Sequence, residues 1–198
     1  MKTSRQNRAY LKEGLLIVFS VLFALFIDKT FQDYQTNRQK NEALSSITRE
    51  LSKNRDILNF WQVHHRKIRD RLTASTRREN DTLRAALESG DYLNLGLLTD
   101  QKPLVNELLT KTAWETARFT GILAEFDFET IQKLTRTYTM QDILMEDTLA
   151  KVRDTYLEKA SESLDDLDQT LIKFQLLLQE LVGQENLLEV LYEEGLGE

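Results

Sequence analysis

The stretch LSSITRELSKNRDILNFWQVHHRKIRDRL, residues 44–72, decides the fold class of this chain. Its apolar residues recur at steps of three and four, which is the spacing of a long bundle helix or a coiled coil. A seam of this length predicts one long helix with a buried face. The predicted helix-packing seam consists of Leu44, Ile47, Leu51, Asn54, Leu58, Trp61, His65, Ile68 and Leu72.

Two positions of this seam are polar. Asn54 and His65 would weaken an apolar interface, but a polar seam residue can set the register and the number of partners. We therefore interpret both residues as specificity elements. The seam fits an intrachain helical bundle and a homo-oligomeric coiled coil equally well, so the sequence leaves both arrangements open.

Toward the amino terminus the pattern changes to an uninterrupted apolar run. Residues 15–27 carry no charge, and Ser20 is their only polar side chain. We predict a transmembrane anchor over residues 14–31 that continues into the long helix. Its apolar side chains are Leu15, Leu16, Ile17, Val18, Phe19, Val21, Leu22, Phe23, Leu25, Phe26 and Ile27.

The apolar run is short for a membrane span. Residues 15–27 rise about 20 Å as a helix, against a hydrocarbon core of roughly 30 Å. Flanking residues must therefore continue the helix, while Lys12 and Lys29 extend toward the headgroups. A cleaved signal peptide and a soluble core helix are the alternatives. The first lacks a small-residue cleavage site, and the second would show polar residues at helical spacing.

The charges before the anchor predict its orientation. Lys2, Arg5, Arg8 and Lys12 precede the run, with no acidic residue earlier than Glu13. Positively charged flanks stay on the cytoplasmic side. We therefore expect a cytoplasmic amino terminus over residues 1–13 and an extracytoplasmic domain over residues 32–198. In a bacterium this means the inner (cytoplasmic) membrane, with the domain in the periplasm.

The remainder of the chain has the composition of an all-α protein. It contains one proline and no strand-like alternation, and it is rich in good helix formers. Breaks are expected at the turn residues before Pro103, at Gly121 and at Gly183, with Asp127 as a helix cap. The predicted elements are a long helix over 32–88, a loop over 89–103, and helices over 104–120, 128–182 and 185–194. The sequence leaves open whether the helix over 128–182 is continuous or broken near Ala160.

Charge is distributed unevenly along the chain. Residues 66–84 carry seven Lys or Arg and three acidic residues, whereas residues 154–198 carry twelve acidic residues and two lysines. No aromatic residue is interleaved with the basic run, and the expected compartment contains no genome, so nucleic acid is not expected as a partner. The asymmetry instead predicts antiparallel docking of the carboxyl-terminal helices on the long helix.

Several features together resemble a known group of proteins. Glu13 and Gly14 stand at the mouth of the apolar run, and the segment TAWETARFTG, residues 112–121, precedes a helix that carries Tyr138. In these features the chain is similar to an uncharacterised family of small bacterial single-pass membrane-anchored helical proteins. The resemblance implies an anchored helical protein and supplies no activity or site residue.

The residues offer no chemistry of their own. Cysteine is absent, and the only histidines, His64 and His65, point about 100° apart on a helix, which is poor geometry for one metal. No glycine-rich phosphate loop is present. We expect no catalytic activity and no cofactor or metal.

Two functions remain. The first is a membrane-anchored scaffold that self-associates or binds a membrane-protein partner. The alternative is an extracytoplasmic sensor or ligand-binding bundle that signals through a separate partner. An exposed apolar stripe over residues 44–72 would favour the scaffold, and an enclosed polar pocket would favour the sensor.

Overall fold

The computed structural model describes residues 3–77, 81–89, 94–159 and 167–197, and within them the side chains of residues 3–13, 81 and 159 are not described. Every regular element in these ranges is helical, which confirms the all-α prediction. Short 3-10 turns lie at Leu95–Leu97 and Ile122–Glu125, and a π-helical turn lies at Ile143–Thr148. The α-helices are α1 (Thr3–Thr76), α2 (Asp81–Leu87), α3 (Thr112–Phe119), α4 (Phe128–Asp142), α5 (Leu149–Lys159) and α6 (Leu167–Leu196).

Helix α1 contains both the apolar run and the seam without interruption. It has no proline, and Gly14 is its only glycine, so its 74 residues extend about 110 Å. The predicted helix over 32–88 is nevertheless too long at its end. The hydroxyl groups of Thr73 and Thr76 donate to carbonyls one turn earlier, at Arg69 and Leu72. Such residues are weak helix formers, and the next described helix is the separate α2.

Helix α6 lies antiparallel along α1. Gln62 is hydrogen-bonded to Glu189, Arg66 to Asn186, and Thr76 to Gln175, so position numbers rise on one helix as they fall on the other. Of the nine seam residues, all except Leu44, which is 36% exposed, are buried within the single chain. The intrachain alternative for the seam is therefore the one that this fold uses.

The predicted helix over 128–182 is two antiparallel segments. Thr137 donates to the carbonyl of Leu191, Thr148 donates to Gln184, and the rings of Tyr156 and Phe174 meet edge to face. The chain therefore reverses between α5 and α6. Each segment has one apolar face, and folding back lets the two faces cover each other. The polar stretch at residues 160–166 lies outside the described residues.

Gly183 does not end a helix as predicted. Helix α6 continues through it to Leu196, so the predicted helix over 185–194 is the last part of α6. A glycine inside a helix costs about 1 kcal/mol, whereas burial of one leucine side chain contributes about 1.5–3 kcal/mol. Val182, Leu188 and Leu191 are buried around the glycine and outweigh its cost.

The predicted helix over 104–120 is shorter than expected. Helix α3 begins only at Thr112, and residues 104–110 run over the side of α1 without helical hydrogen bonds. Its end is as predicted, with Gly121 in the left-handed region at φ 77°. Asp127 caps α4 as predicted, because its side chain accepts the backbone N–H of Thr130. Part of the predicted loop over 89–103, residues 90–93, lies outside the described residues.

Candidate functional site

The predicted anchor side chains all face away from the rest of the protein. The eleven apolar residues between Leu15 and Ile27 are each more than half exposed. One stretch of α1 is therefore long and apolar enough to cross a membrane, with a mean hydropathy of 2.0 and none of that window buried. This exposure is opposite to what a soluble core helix shows.

Polar groups in and beside this stretch are satisfied by the helix itself. The hydroxyl of Ser20 donates to the carbonyl of Leu16 at 2.8 Å, and that of Thr30 donates to the carbonyl of Phe26 at 2.8 Å. A bilayer offers no water to such groups, so internal hydrogen bonding suits a lipid environment.

Further along α1, Asn54 fastens the irregular segment before α3. Its amide nitrogen donates to the carbonyl of Thr110 at 2.6 Å, and its amide oxygen accepts the backbone N–H of Thr110 at 2.9 Å. The side chain is fully buried. One residue of α1 thus satisfies both backbone groups of a residue that has no helical partners, which is why this segment need not be helical.

The same amide connects α1 to two more helices. Asn54 also donates to the side-chain oxygen of Gln141 at 3.1 Å, and the hydroxyl of Tyr192 donates to that oxygen at 2.8 Å. Gln141 in turn donates to the carbonyl of Thr110 at 3.1 Å. Residues of α1, α4 and α6 therefore meet in one buried hydrogen-bond network.

Glu50, one turn before Asn54, caps α3 from another helix. Its carboxylate accepts the backbone N–H of Ala113 at 2.9 Å and that of Trp114 at 3.4 Å. The first N–H groups of a helix have no partners within it and carry partial positive charge, so a carboxylate there is stabilising. Lys111, at the cap position itself, makes no side-chain cap bond.

Glu50 also binds α4. It accepts the hydroxyl of Tyr138 at 2.7 Å, and the Tyr138 ring stacks on Trp114 with centroids 5.2 Å apart. Burial, followed by the hydrogen bond to Glu50, raises the pKa of Tyr138 well above its ordinary value, and burial likewise raises the pKa of Tyr192. Both phenols are therefore neutral donors at physiological pH.

His65 makes the second buried polar contact between α1 and α6. Its Nδ1 lies 2.5 Å from Oε1 of Glu185, and its Nε2 lies 2.8 Å from the carbonyl of Leu104. Both side chains are fully buried. Each ring nitrogen faces an acceptor, so each contact needs a hydrogen from the ring or from the carboxyl group. Like Asn54, His65 holds the backbone of the segment before α3.

The second histidine has a different environment. Burial, and then the neighbouring His65 and Lys102 charges, lowers the pKa of His64. Within the described ranges no three His, Asp or Glu side chains gather closely enough to hold a metal ion.

The sequence pattern identified only some of the residues in this buried network. Asn54 and His65 were expected to set the register and the number of partner chains. Their observed partners belong to the same chain: the backbone of Thr110 and the side chain of Gln141 for Asn54, and the carbonyl of Leu104 and the side chain of Glu185 for His65. Glu50, Gln141 and Glu185 were not singled out. Gln141 was detectable, because it is a polar residue at a seam position of α4, as Asn54 is on α1.

An interior cavity and a surface groove of the domain differ in size and lining. An interior cavity of about 10 Å³ has a mostly apolar lining that includes Leu72, Leu98 and Phe174, too small for a ligand. An open groove of about 830 Å³ lies between α1 and α3. Its lining includes Ala43 and Arg49 on α1 and Thr116 on α3.

No protein-family model matches the chain, and no curated protein or solved structure shows significant similarity to it. The site is therefore interpreted from its own geometry, and the resemblance to a bacterial anchored family stays a prediction.

Proposed function

We propose that this protein is a single-pass membrane-anchored scaffold, whose helical bundle domain binds a partner protein or a second copy and catalyses no reaction. The observation that carries the proposal is the continuity of α1. An exposed apolar segment and the central helix of a packed domain are one uninterrupted helix. The domain is therefore held on a stiff stem rather than on a flexible linker.

The buried network supports a structural function. The buried ionisable side chains of Glu50, His65 and Glu185 each bind backbone or side-chain groups of neighbouring segments. These contacts hold the segment before α3 against α1. Because these three side chains are already hydrogen-bonded within the chain, they position its segments rather than face a substrate.

We place the protein in the bacterial inner membrane, with residues 1–13 in the cytoplasm and residues 32–198 in the periplasm. The basic residues that precede the apolar run support this orientation. The bilayer is then the first partner of the chain, and the domain meets its protein partner outside the cytoplasm.

The absence of cysteine makes this topology directly testable. Single variants Ser4→Cys and Ser45→Cys would be expressed in bacteria and treated with a membrane-impermeant maleimide. We expect labelling of S45C in intact cells and labelling of S4C only after the membrane is opened. Alkaline carbonate extraction of the same cells should leave both variants in the membrane pellet.

A matched pair of arginine variants provides the control. Val21→Arg with Leu25→Arg should release the chain from the pellet, because each arginine at the centre of a span costs roughly 2.5–3.5 kcal/mol. Ser45→Arg with Ser52→Arg adds the same charge outside the anchor and should not. Recovery of the unmodified chain in the soluble fraction would overturn the anchor, and labelling of S4C alone in intact cells would overturn the orientation.

A further inference from the structure

His65 and Glu185 form a buried pair of ionisable side chains between α1 and α6. Nδ1 of His65 lies 2.5 Å from Oε1 of Glu185, and Nε2 lies 2.8 Å from the carbonyl oxygen of Leu104. Neither side chain exposes any surface. Oε2 of Glu185 has no hydrogen-bond partner within the described ranges. These contacts determine how many hydrogens the pair must carry.

Both contacts of the imidazole need a hydrogen. A carbonyl oxygen only accepts, so Nε2 must carry a hydrogen to bind Leu104. Nδ1 then needs a second hydrogen between itself and Glu185, because two acceptors 2.5 Å apart would repel each other. A neutral imidazole beside a carboxylate has one hydrogen for the two contacts, whichever tautomer it adopts. The geometry therefore requires one additional proton on the pair.

The additional proton belongs to the pair as a whole. On Nδ1 it gives an imidazolium beside a carboxylate, and on Oε1 it gives a neutral imidazole beside a carboxylic acid, so the net charge is zero in both forms. Loss of this proton would break one contact and leave an uncompensated negative charge in a fully buried site. A second additional proton would set two hydrogens between Nδ1 and Oε1 and leave a buried positive charge.

We propose that His65 and Glu185 form a proton-binding site that couples the stability of the domain to pH. In the unfolded chain a histidine releases its proton near pH ~6.5. Above that pH the folded chain holds one proton more than the unfolded chain, so the free energy of unfolding falls as pH rises. This site goes beyond the scaffold function and does not depend on the membrane anchor.

The acid side of the dependence has the opposite sign. Below pH ~4.3 a glutamate of the unfolded chain takes up a proton that the folded pair does not accept. The unfolded chain then holds more protons, so the free energy of unfolding falls as pH falls. The pair therefore gives its largest stabilisation in mildly acidic solution, between these two values.

Ionisable groups also lie on the elements around the pair. They are His64, Arg66 and Arg69 on α1, Glu189 and Tyr192 on α6, Asp100 and Lys102 before α3, and Asp142, Glu146, Asp147 and Lys151 from the end of α4 to α5. Of these groups only the histidine ordinarily changes its charge near neutral pH. His64 is therefore the one neighbour whose titration must be separated from that of the pair.

His64 acts in the opposite direction and over a different range. Its ring centroid lies 5.8 Å from that of His65, and burial lowers the pKa of His64. The unfolded chain binds this proton more tightly, so the contribution of His64 to stability rises as pH rises toward ~6.5. Above pH ~7 His64 is mostly neutral in both states, and the slope belongs to the pair.

Unfolding of the full chain in detergent between pH 7 and pH 8.5 tests the site. Phenols of the unfolded chain ionise only near pH ~10, above this window. We expect the equilibrium constant of unfolding, measured by denaturant titration, to rise about tenfold per pH unit, because each chain that unfolds releases one proton. An unfolding constant that is independent of pH across this window would overturn the proposal.

Glu185→Gln assigns the slope to the pair. The glutamine amide has the shape of the carboxyl group, and its N–H donates to Nδ1 while Nε2 keeps a hydrogen for Leu104. Every contact is then made without an additional proton, so the unfolding constant of E185Q should not change with pH in this window. Glu189→Gln, one turn further along α6, is the matched control and should keep the tenfold slope. A folded E185Q chain with the full slope would overturn the assignment.

A second measurement does not require the Glu185 variant to fold. In His64→Asn the only histidine is His65, so nuclear magnetic resonance of a chain labelled with ¹⁵N-histidine reports on the pair alone. At pH 8 we expect one hydrogen on Nε2 and a second, strongly hydrogen-bonded hydrogen shared between Nδ1 and Glu185. A folded chain whose imidazole has a single hydrogen and shares none with a carboxyl group would overturn the proton-binding site.

Discussion

At the scale of single residues, buried polar side chains of α1 determine the path of the segment before α3. Asn54 binds both backbone groups of Thr110, and His65 binds the carbonyl of Leu104. A buried backbone group without a partner costs about 1–3 kcal/mol. These two side chains therefore permit an irregular segment inside the packed domain.

The first prediction concerns Asn54. Replacing it by alanine leaves the backbone N–H of Thr110 without its partner, so the free energy of unfolding should fall by about 2–4 kcal/mol. Denaturant titration of the full chain in detergent measures this. Asn41→Ala is the matched control, because Asn41 lies exposed on the same helix and should cost less than about 0.5 kcal/mol. Equal losses for the two variants would contradict the proposed role of Asn54.

The buried tyrosines predict instability in alkali. Burial raises the pKa of Tyr138 and Tyr192, whereas the phenols of the unfolded chain ionise near pH ~10. Above that pH the folded state holds more protons than the unfolded state, so the free energy of unfolding falls as pH rises. Each phenol should contribute a slope of about 1.4 kcal/mol per pH unit.

Unfolding measured between pH 8 and pH 11.5 checks this slope. Tyr192→Phe should remove about half of it, since one of two buried phenols remains. Tyr34→Phe should leave it unchanged, because Tyr34 is 68% exposed. A slope that Tyr192→Phe does not alter would show that other groups govern the alkaline transition.

At the scale of elements, helix ends follow tertiary contacts more than local signals. Gly183 lies in the middle of α6, while α3 starts eight residues later than the predicted position 104. Glu50 supplies the cap at the new start, from a helix more than sixty residues earlier. Signals that act within one turn, such as the Asp127 cap and the Gly121 stop, were correctly placed.

Three glycines give a graded prediction. An added methyl group at Gly183 meets nothing within 4 Å, so Gly183→Ala should raise the free energy of unfolding by about 0.5–1 kcal/mol. At Gly195 the methyl group would lie 3.1 Å from Cδ1 of Leu51, so Gly195→Ala should gain less. Gly121 has φ 77°, and Gly121→Ala should lower stability by about 1 kcal/mol. Thermal melts followed by circular dichroism would rank the stabilities of the three variants. A different order of stabilities would contradict the environments described for the three glycines.

At the scale of the whole molecule, the exposed apolar segment proposed as the anchor and the packed domain share a helix but no packing. The apolar window of α1 has none of its area buried, and the first fully buried seam residue is Ile47. Stability of the domain therefore resides in contacts of α1, α4 and α6 beyond the anchor. The exposed apolar segment makes no contact with the core, so we expect the domain to fold without it.

Removal of the anchor tests this separation. Residues 32–198 should melt cooperatively within a few degrees of the full chain, because no core contact is lost. Sedimentation equilibrium should find a monomer at micromolar concentration, because the seam of α1 from Ile47 to Leu72 is buried within the single chain. A collapse of the melting temperature would show that the apolar segment contributes to the core.

The sequence by itself determined the helical class and the exposed apolar segment, since helical period and apolar composition are properties of neighbouring residues. Only the tertiary structure decided that the seam packs within one chain, that the chain reverses between α5 and α6, and that Asn54 and His65 bind backbone. The partners of these residues lie between 39 and 120 positions away. Hydrogen bonds over such separations exist only once the helices are packed, so no local pattern specifies them.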